Sequence, residues 1–91
     1  IIVGVVINNK TKEVLGGPDI QSRGVIYLKD ADNVMSEVGT ILENTIAKFK
    51  EERRYTNVDA RNEARDLIAK YIFKQTGKRP MILPVIIEIN V

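Results

Sequence analysis

The chain opens on Ile1-Ile2-Val3-Gly4-Val5-Val6-Ile7 and returns near its end to Met81-Ile82-Leu83-Pro84-Val85-Ile86-Ile87, two runs that are apolar without alternation. A strand tolerates that pattern only when both of its sides are covered. Two helix-like segments lie between the runs, and two helices of ordinary length blanket one face of a small sheet but not both. The second face is therefore the first place to look for function.

The local patterns give the order of elements. Asn8-Asn9-Lys10-Thr11-Lys12 is a polar turn between the first strand and a short one around Glu13 to Gly16, the arrangement of a hairpin. Gly16-Gly17-Pro18-Asp19 is dense in breakers, so residues 17–23 are expected to be an irregular connection before Gly24-Val25-Ile26-Tyr27-Leu28-Lys29 resumes as strand. From about Asp32 the period changes. Val34, Val38, Ile41, Leu42, Ile46 and Phe49 fall at three- and four-residue steps and form one helical stripe. Asp30 and Asp32 suit its N-terminus as caps, which is favoured over a metal or acid/base pair. Thr56-Asn57-Val58-Asp59 opens a second helix in the manner of a capping box, with Asp in the place of the preferred Glu or Gln. Its stripe is Ala64, Leu67, Ile68, Tyr71 and Ile72, Asp66 and Lys70 are spaced as a pair outside it, and Gly77 ends it before Pro80. The expected fold is α+β: a small sheet of three or four strands, mixed or antiparallel, with two helices on one face in β-β-α-α-β order.

Composition narrows the chemistry. The 91 residues suit one domain with a modest core. Fourteen basic against 12 acidic residues leave a formal charge of +2, too balanced to mark a nucleic-acid tail or a membrane-surface peptide. The chain contains no Cys and no His, which removes disulfides, thiolate and imidazole zinc ligands, nucleophile–His pairs and the usual neutral-pH proton carrier. Ser22 with Lys29 makes no credible nucleophile and base, because nothing supplies an oxyanion hole. The apolar runs are far shorter than the roughly 20 residues that span a bilayer. The expectation is a cytoplasmic protein without a membrane partner, and, as Ile1 already lies within a strand, a segment of a longer polypeptide.

Alternate positions sort the sheet's two sides. The odd residues Ile1, Val3, Val5 and Ile7, with Met81, Leu83, Val85, Ile87 and Ile89, are the heavier set and are expected to meet the helices, joined by Ile26 and Leu28. The other side then carries Ile2, Val6, Val25, Tyr27, Ile82, Pro84 and Ile86, fading into Asn8, Glu88 and Asn90. An apolar centre with a polar rim and an area of several hundred Å² marks an interaction surface. Its occupant is another domain or a second copy, unless the connection at residues 17–23 folds over it.

Two segments carry a specific resemblance: Gly17-Pro18-Asp19-Ile20-Gln21-Ser22-Arg23-Gly24-Val25-Ile26-Tyr27 and Lys78-Arg79-Pro80-Met81-Ile82-Leu83-Pro84-Val85-Ile86. Both resemble the C-terminal domain of ribonuclease J, in their order and spacing along the whole chain. Val25 stands where that family often has Phe, and Gly77 where it more often has a basic residue. The resemblance implies that the parent is a β-CASP metallo-β-lactamase enzyme, a zinc-dependent nuclease that cuts RNA internally and degrades it from the 5′ end. It also implies that residues 1–91 are its appended, non-catalytic C-terminal module, supporting a homodimer or higher oligomer. Zinc would belong to the catalytic domain; no residue of this chain matches those ligands, and RNA would be met through the parent.

Three basic residues are candidates for contact with RNA or a neighbouring chain. Arg23 could clamp a carboxylate or phosphate through two parallel hydrogen bonds, or fasten its own loop to Asp19. Lys78 and Arg79, with Lys74, form a small cluster suited to phosphates. Lys48, Lys50, Arg53 and Arg54 form another, diluted by Glu51, Glu52 and Asp59 and read as a solvated face. The alternative function is a KH-like RNA-binding module, which shares the element order but needs a Gly-x-x-Gly turn between its helices. Here that turn reads Glu51-Glu52-Arg53-Arg54-Tyr55-Thr56.

Overall fold

The computed structural model describes residues 1–22 and 31–91. Strands β1 (Ile2–Asn8) and β2 (Val14–Gln21) form a hairpin, helices α1 (Ala31–Glu51) and α2 (Asn57–Thr76) follow, and strand β3 (Leu83–Ile89) closes the chain. The sheet order is β2-β1-β3, with β1 antiparallel to β2 and parallel to β3. This is the α+β architecture expected from the sequence, with three strands among the described residues. The strand expected over Gly24–Lys29, with Ile26 and Leu28, falls outside those residues, as do Arg23, Val25, Tyr27 and Asp30.

The hairpin turn is built on one side chain. Asn8 Oδ1 accepts from the backbone N–H groups of Lys10 at 2.8 Å and Thr11 at 3.2 Å, the local bonding that makes Asn a turn former. β2 then runs longer than the breakers suggested. Its ladder with β1 is interrupted by a bulge, pairing Val6 with Gly16 and Gly4 with Asp19, and continues through Val3 with Ile20 to Ile2 with Gln21. Gly17 sits in the bulge at φ 87°, where a Cβ would lie 2.8 Å from the Gly4 carbonyl oxygen. Only glycine fits there, and the bulge absorbs Gly17-Pro18 without ending the strand. Residues 17–21 therefore lie beside β1 instead of folding across the sheet.

Both helices sit on one face. Val34, Val38, Leu42, Ile46 and Phe49 of α1 and Ala60, Ala64, Ile68 and Ile72 of α2 are buried against Val3, Val5 and Ile7 of β1. The buried Thr45 satisfies its hydroxyl by donating to the Ile41 carbonyl at 2.8 Å. α2 begins as its sequence indicated: Thr56 Oγ1 accepts from Asp59 N–H at 3.1 Å. It ends on Gly77 in the left-handed region, whose N–H donates to the Phe73 carbonyl at 2.8 Å. Leu67 departs from the expected stripe and is exposed, while Tyr71 is half-buried. Asp66 lies 3.4 Å from Arg65 rather than pairing with Lys70.

β3 corrects the sequence-based sorting of faces. Ile82 and Ile86, expected on the open side, are 4% and 7% exposed and belong to the core. Leu83, Val85, Ile87 and Ile89, expected inside, are exposed. The parallel register explains the inversion, because it sets Val3 beside Pro84 and Val5 beside Ile86, so even positions of β3 share the helix-facing side with odd positions of β1.

Candidate functional site

Among the described residues, the sheet face away from the helices is an exposed apolar surface. Parallel pairing brings Ile2 beside Leu83, Gly4 beside Val85, Val6 beside Ile87 and Asn8 beside Ile89. Ile2 is 41% exposed, and the β3 row runs from 40% at Val85 and Ile89 to 51% at Ile87. On the far side, Gly16 pairs with Val6, and Asp19 and Gln21 pair with Gly4 and Ile2. The face is thus a ridge of four branched side chains along β3, a stretch made shallow by Gly4 and Gly16, and a polar margin on β2.

Of the residues assigned to this surface from the sequence, Ile2 and Val6 lie on it. Ile82 and Ile86 do not, and Pro84 is half-buried on the helix-facing side. Val25, Tyr27 and Arg23 lie outside the described residues. Leu83, Val85, Ile87 and Ile89 were missed, because counting apolar residues gave the heavier side of β3 to the core.

The outer edge of β3 is blunted against further strands by two devices. Leu83 N–H donates to the Ile1 carbonyl and the Ile89 carbonyl accepts from Asn9 N–H, each at 2.8 Å. Backbone groups of odd residues therefore point at β1, and those of Ile82, Pro84, Ile86 and Glu88 point outward. Pro84 has no N–H to offer, and the Ile86 carbonyl already accepts from Asn57 Nδ2 at 2.9 Å. A proline and a side-chain bond on an exposed edge both discourage strand addition.

Asn57 also anchors a polar cluster at the end of the helix-facing layer. Its Nδ2 donates to Glu88 Oε2 at 3.0 Å, its Oδ1 accepts from Arg61 Nε at 2.6 Å, and Tyr55 donates its hydroxyl to Glu88 Oε2 at 2.8 Å. Lys12 Nζ lies 3.3 Å from Glu88 Oε1 and 5.0 Å from the centre of the Tyr55 ring. The Asn57 bond, assisted by Tyr55 and Lys12 against the opposing effect of burial, holds the Glu88 carboxyl below its ordinary value. Burial first, then Glu88, pushes the Tyr55 phenol well above its ordinary value. Both carboxylate oxygens are occupied, so the cluster fastens the hairpin turn, the interhelical link and β3 together.

The two basic clusters differ in their pairing. At the end of α1, Lys48 bonds Glu63 at 3.0 Å, Arg54 bonds Glu52 at 2.9 Å, and both cations lie over the Phe49 ring. In the link that would carry a KH-type glycine pair, Arg53 takes the positive φ of 56°. Lys78 and Arg79, after α2, are exposed and have no acidic partner among the described residues. Among the described residues no group of three or more Asp and Glu could hold a metal ion, and no helix is long and apolar enough to cross a membrane.

Residues 1–89 match the family model of the ribonuclease J C-terminal domain. The chain belongs to that family. Ribonuclease J 2 of Staphylococcus epidermidis is 33% identical over 88 residues, which cover 97% of this chain and 16% of that protein. Ribonuclease J 2 of Staphylococcus aureus matches with the same identity and coverage. The chain thus spans about a sixth of the length of these curated relatives, and the two motifs that signalled a ribonuclease J C-terminal domain, around Gly17-Pro18-Asp19 and Arg79-Pro80-Met81, both lie within the matched stretch.

Proposed function

We propose that this ribonuclease J C-terminal domain is an assembly module, and that its open sheet face pairs with the same face of a second copy. The observation that carries the reading is the exposed row Leu83, Val85, Ile87 and Ile89 beside Ile2, an apolar strip without a charged residue along its length. Gly4 and Gly16 leave room for a facing ridge, so a two-fold arrangement that sets each β3 row over the other's glycines would be self-complementary. The blunted β3 edge favours contact through the face over continuation of the sheet.

Magnitudes agree with a module that works within a larger protein. Covering about 300 Å² of apolar area on each of two copies contributes roughly 15 kcal/mol, against association costs of about 4–15 kcal/mol. The surplus is modest and would gain from tethering to other contacts.

In this reading the parent is a zinc-dependent RNA-degrading enzyme of the β-CASP metallo-β-lactamase type, active in the cytoplasm, with zinc and its ligands in the catalytic domain. Residues 1–91 form one non-catalytic domain of it. Sedimentation equilibrium across a wide range of concentration tests the proposal. The chain is expected to form dimers or larger species that Val85→Asp and Ile87→Asp dissociate while circular dichroism stays unchanged. A monomer at every concentration sinks the self-association reading and turns attention to the parent's catalytic body as the occupant.

A further inference from the structure

The C-terminal end of α2 carries an exposed aromatic ring among basic residues. Phe73 is 43% exposed, and Arg79 lies over its ring, 4.5 Å from the centre. Two hollows adjoin it and share Phe73 and Lys70. The larger, about 500 Å³, is lined by Lys70, Tyr71, Phe73 and Lys74; the other, about 240 Å³, is lined by Ala69, Lys70, Phe73, Arg79 and Pro80. Neither lining includes an acidic residue. Lys70, Lys74, Lys78 and Arg79 form no ion pair among the described residues, in contrast to Lys48 and Arg54 at the end of α1.

We propose that this surface binds a single-stranded polynucleotide, with a base stacked on Phe73 and backbone phosphates held by Lys70, Lys74 and Arg79. Cations spaced around an exposed aromatic ring are the combination that such strands use, because every base has a π-face and every linkage a negative charge. The Arg79 guanidinium lies over one face of the ring, so a base would stack on the ring's other face or on the guanidinium itself, whose N–H groups also suit a phosphate. An acidic peptide would satisfy the cations but would make no use of the ring. The surface lies on the helical layer, away from the open sheet face, so the inference is independent of the assembly proposal and both contacts can be made at once.

Fluorescence anisotropy with a labelled oligouridylate of about 12 nucleotides tests this, since the site size of a comparable stacking groove is on the order of 4–16 nucleotides. The complex is expected to weaken roughly tenfold between about 50 and 200 mM salt, as expected for two or three phosphate contacts. Lys70→Gln with Lys74→Gln is expected to lower affinity about tenfold and reduce the salt slope by about 1.4. The pair Lys48→Gln and Lys50→Gln, which removes the same charge elsewhere, is expected to change it less than threefold. Phe73→Leu keeps the apolar volume and is expected to weaken binding about tenfold with the slope unchanged. Equal losses from both lysine pairs, an inert Phe73→Leu, polyglutamate competing as well as the RNA, or no binding at low salt would each overturn the proposal.

Discussion

A Cβ atom on Gly39 would stand 2.5 Å from Pro18 Cγ, so α1 packs on β2 at a distance that only glycine permits. Pro18 and Ile20, the strand residues nearest to Gly39, are thus seated against the middle of a long helix, where glycine is otherwise a poor choice. Gly39→Ala should gain helix propensity in the unfolded balance yet lose about 1–3 kcal/mol overall through overpacking, read as a lower urea midpoint with unchanged slope.

Substitutions in β3 separate its two sides. Ile82→Ala removes a core side chain and is expected to cost about 2–5 kcal/mol. Ile87→Ala, on the open face, is expected to cost under about 1 kcal/mol in the monomer. Chemical denaturation at a concentration low enough to prevent association measures both. A larger loss for Ile87→Ala would reverse the assignment of faces.

Capping at Thr56 offers a local test. Thr56→Ala leaves the Asp59 N–H without its acceptor and is expected to destabilise the fold by roughly 1 kcal/mol. Thr56→Ser, which keeps the hydroxyl, is expected to lie within a few tenths of the parent. Thermal melts of the three proteins decide it.

Acid stability should report on Glu88. Its carboxyl is held below the ordinary value in the folded chain, so the folded state binds fewer protons than the unfolded state once the latter begins to titrate, at about pH 4.3. The contribution is complete above that pH and is lost as the pH falls through the lower, folded value. Glu88→Gln is expected to flatten this acid limb and to cost roughly 1–3 kcal/mol at neutral pH. Tyr55 acts at the opposite end: its raised pKa means stability present below pH about 10 and declining above it. Tyr55→Phe should remove that alkaline decline.

Much of this fold is legible in the sequence. The three- and four-residue steps of Val34, Val38, Leu42, Ile46 and Phe49, the Thr56 cap and the Gly77 stop each act locally, so their neighbours in sequence suffice to reveal them. β1 was legible because its odd residues are buried whichever strands flank it. β3 was not, since its facing side depends on a parallel register set across the whole chain, and its heavier apolar side proved to be the open one. Gly17-Pro18 looked like an end to β2 because a bulge is a pairing event, invisible without the partner strand. The same holds for Asn57 and Glu88, 31 residues apart in sequence, which no local pattern connects.

The Asn57 bond to the Ile86 carbonyl and the missing N–H of Pro84 carry one more consequence. A protein with an oily sheet risks stacking copy upon copy into open-ended fibres, and a strand that lacks one outward donor and has one outward acceptor already engaged resists growth along that edge. In the proposed assembly, contact restricted to one flat side saturates once that side is filled, which would keep the complex finite in size.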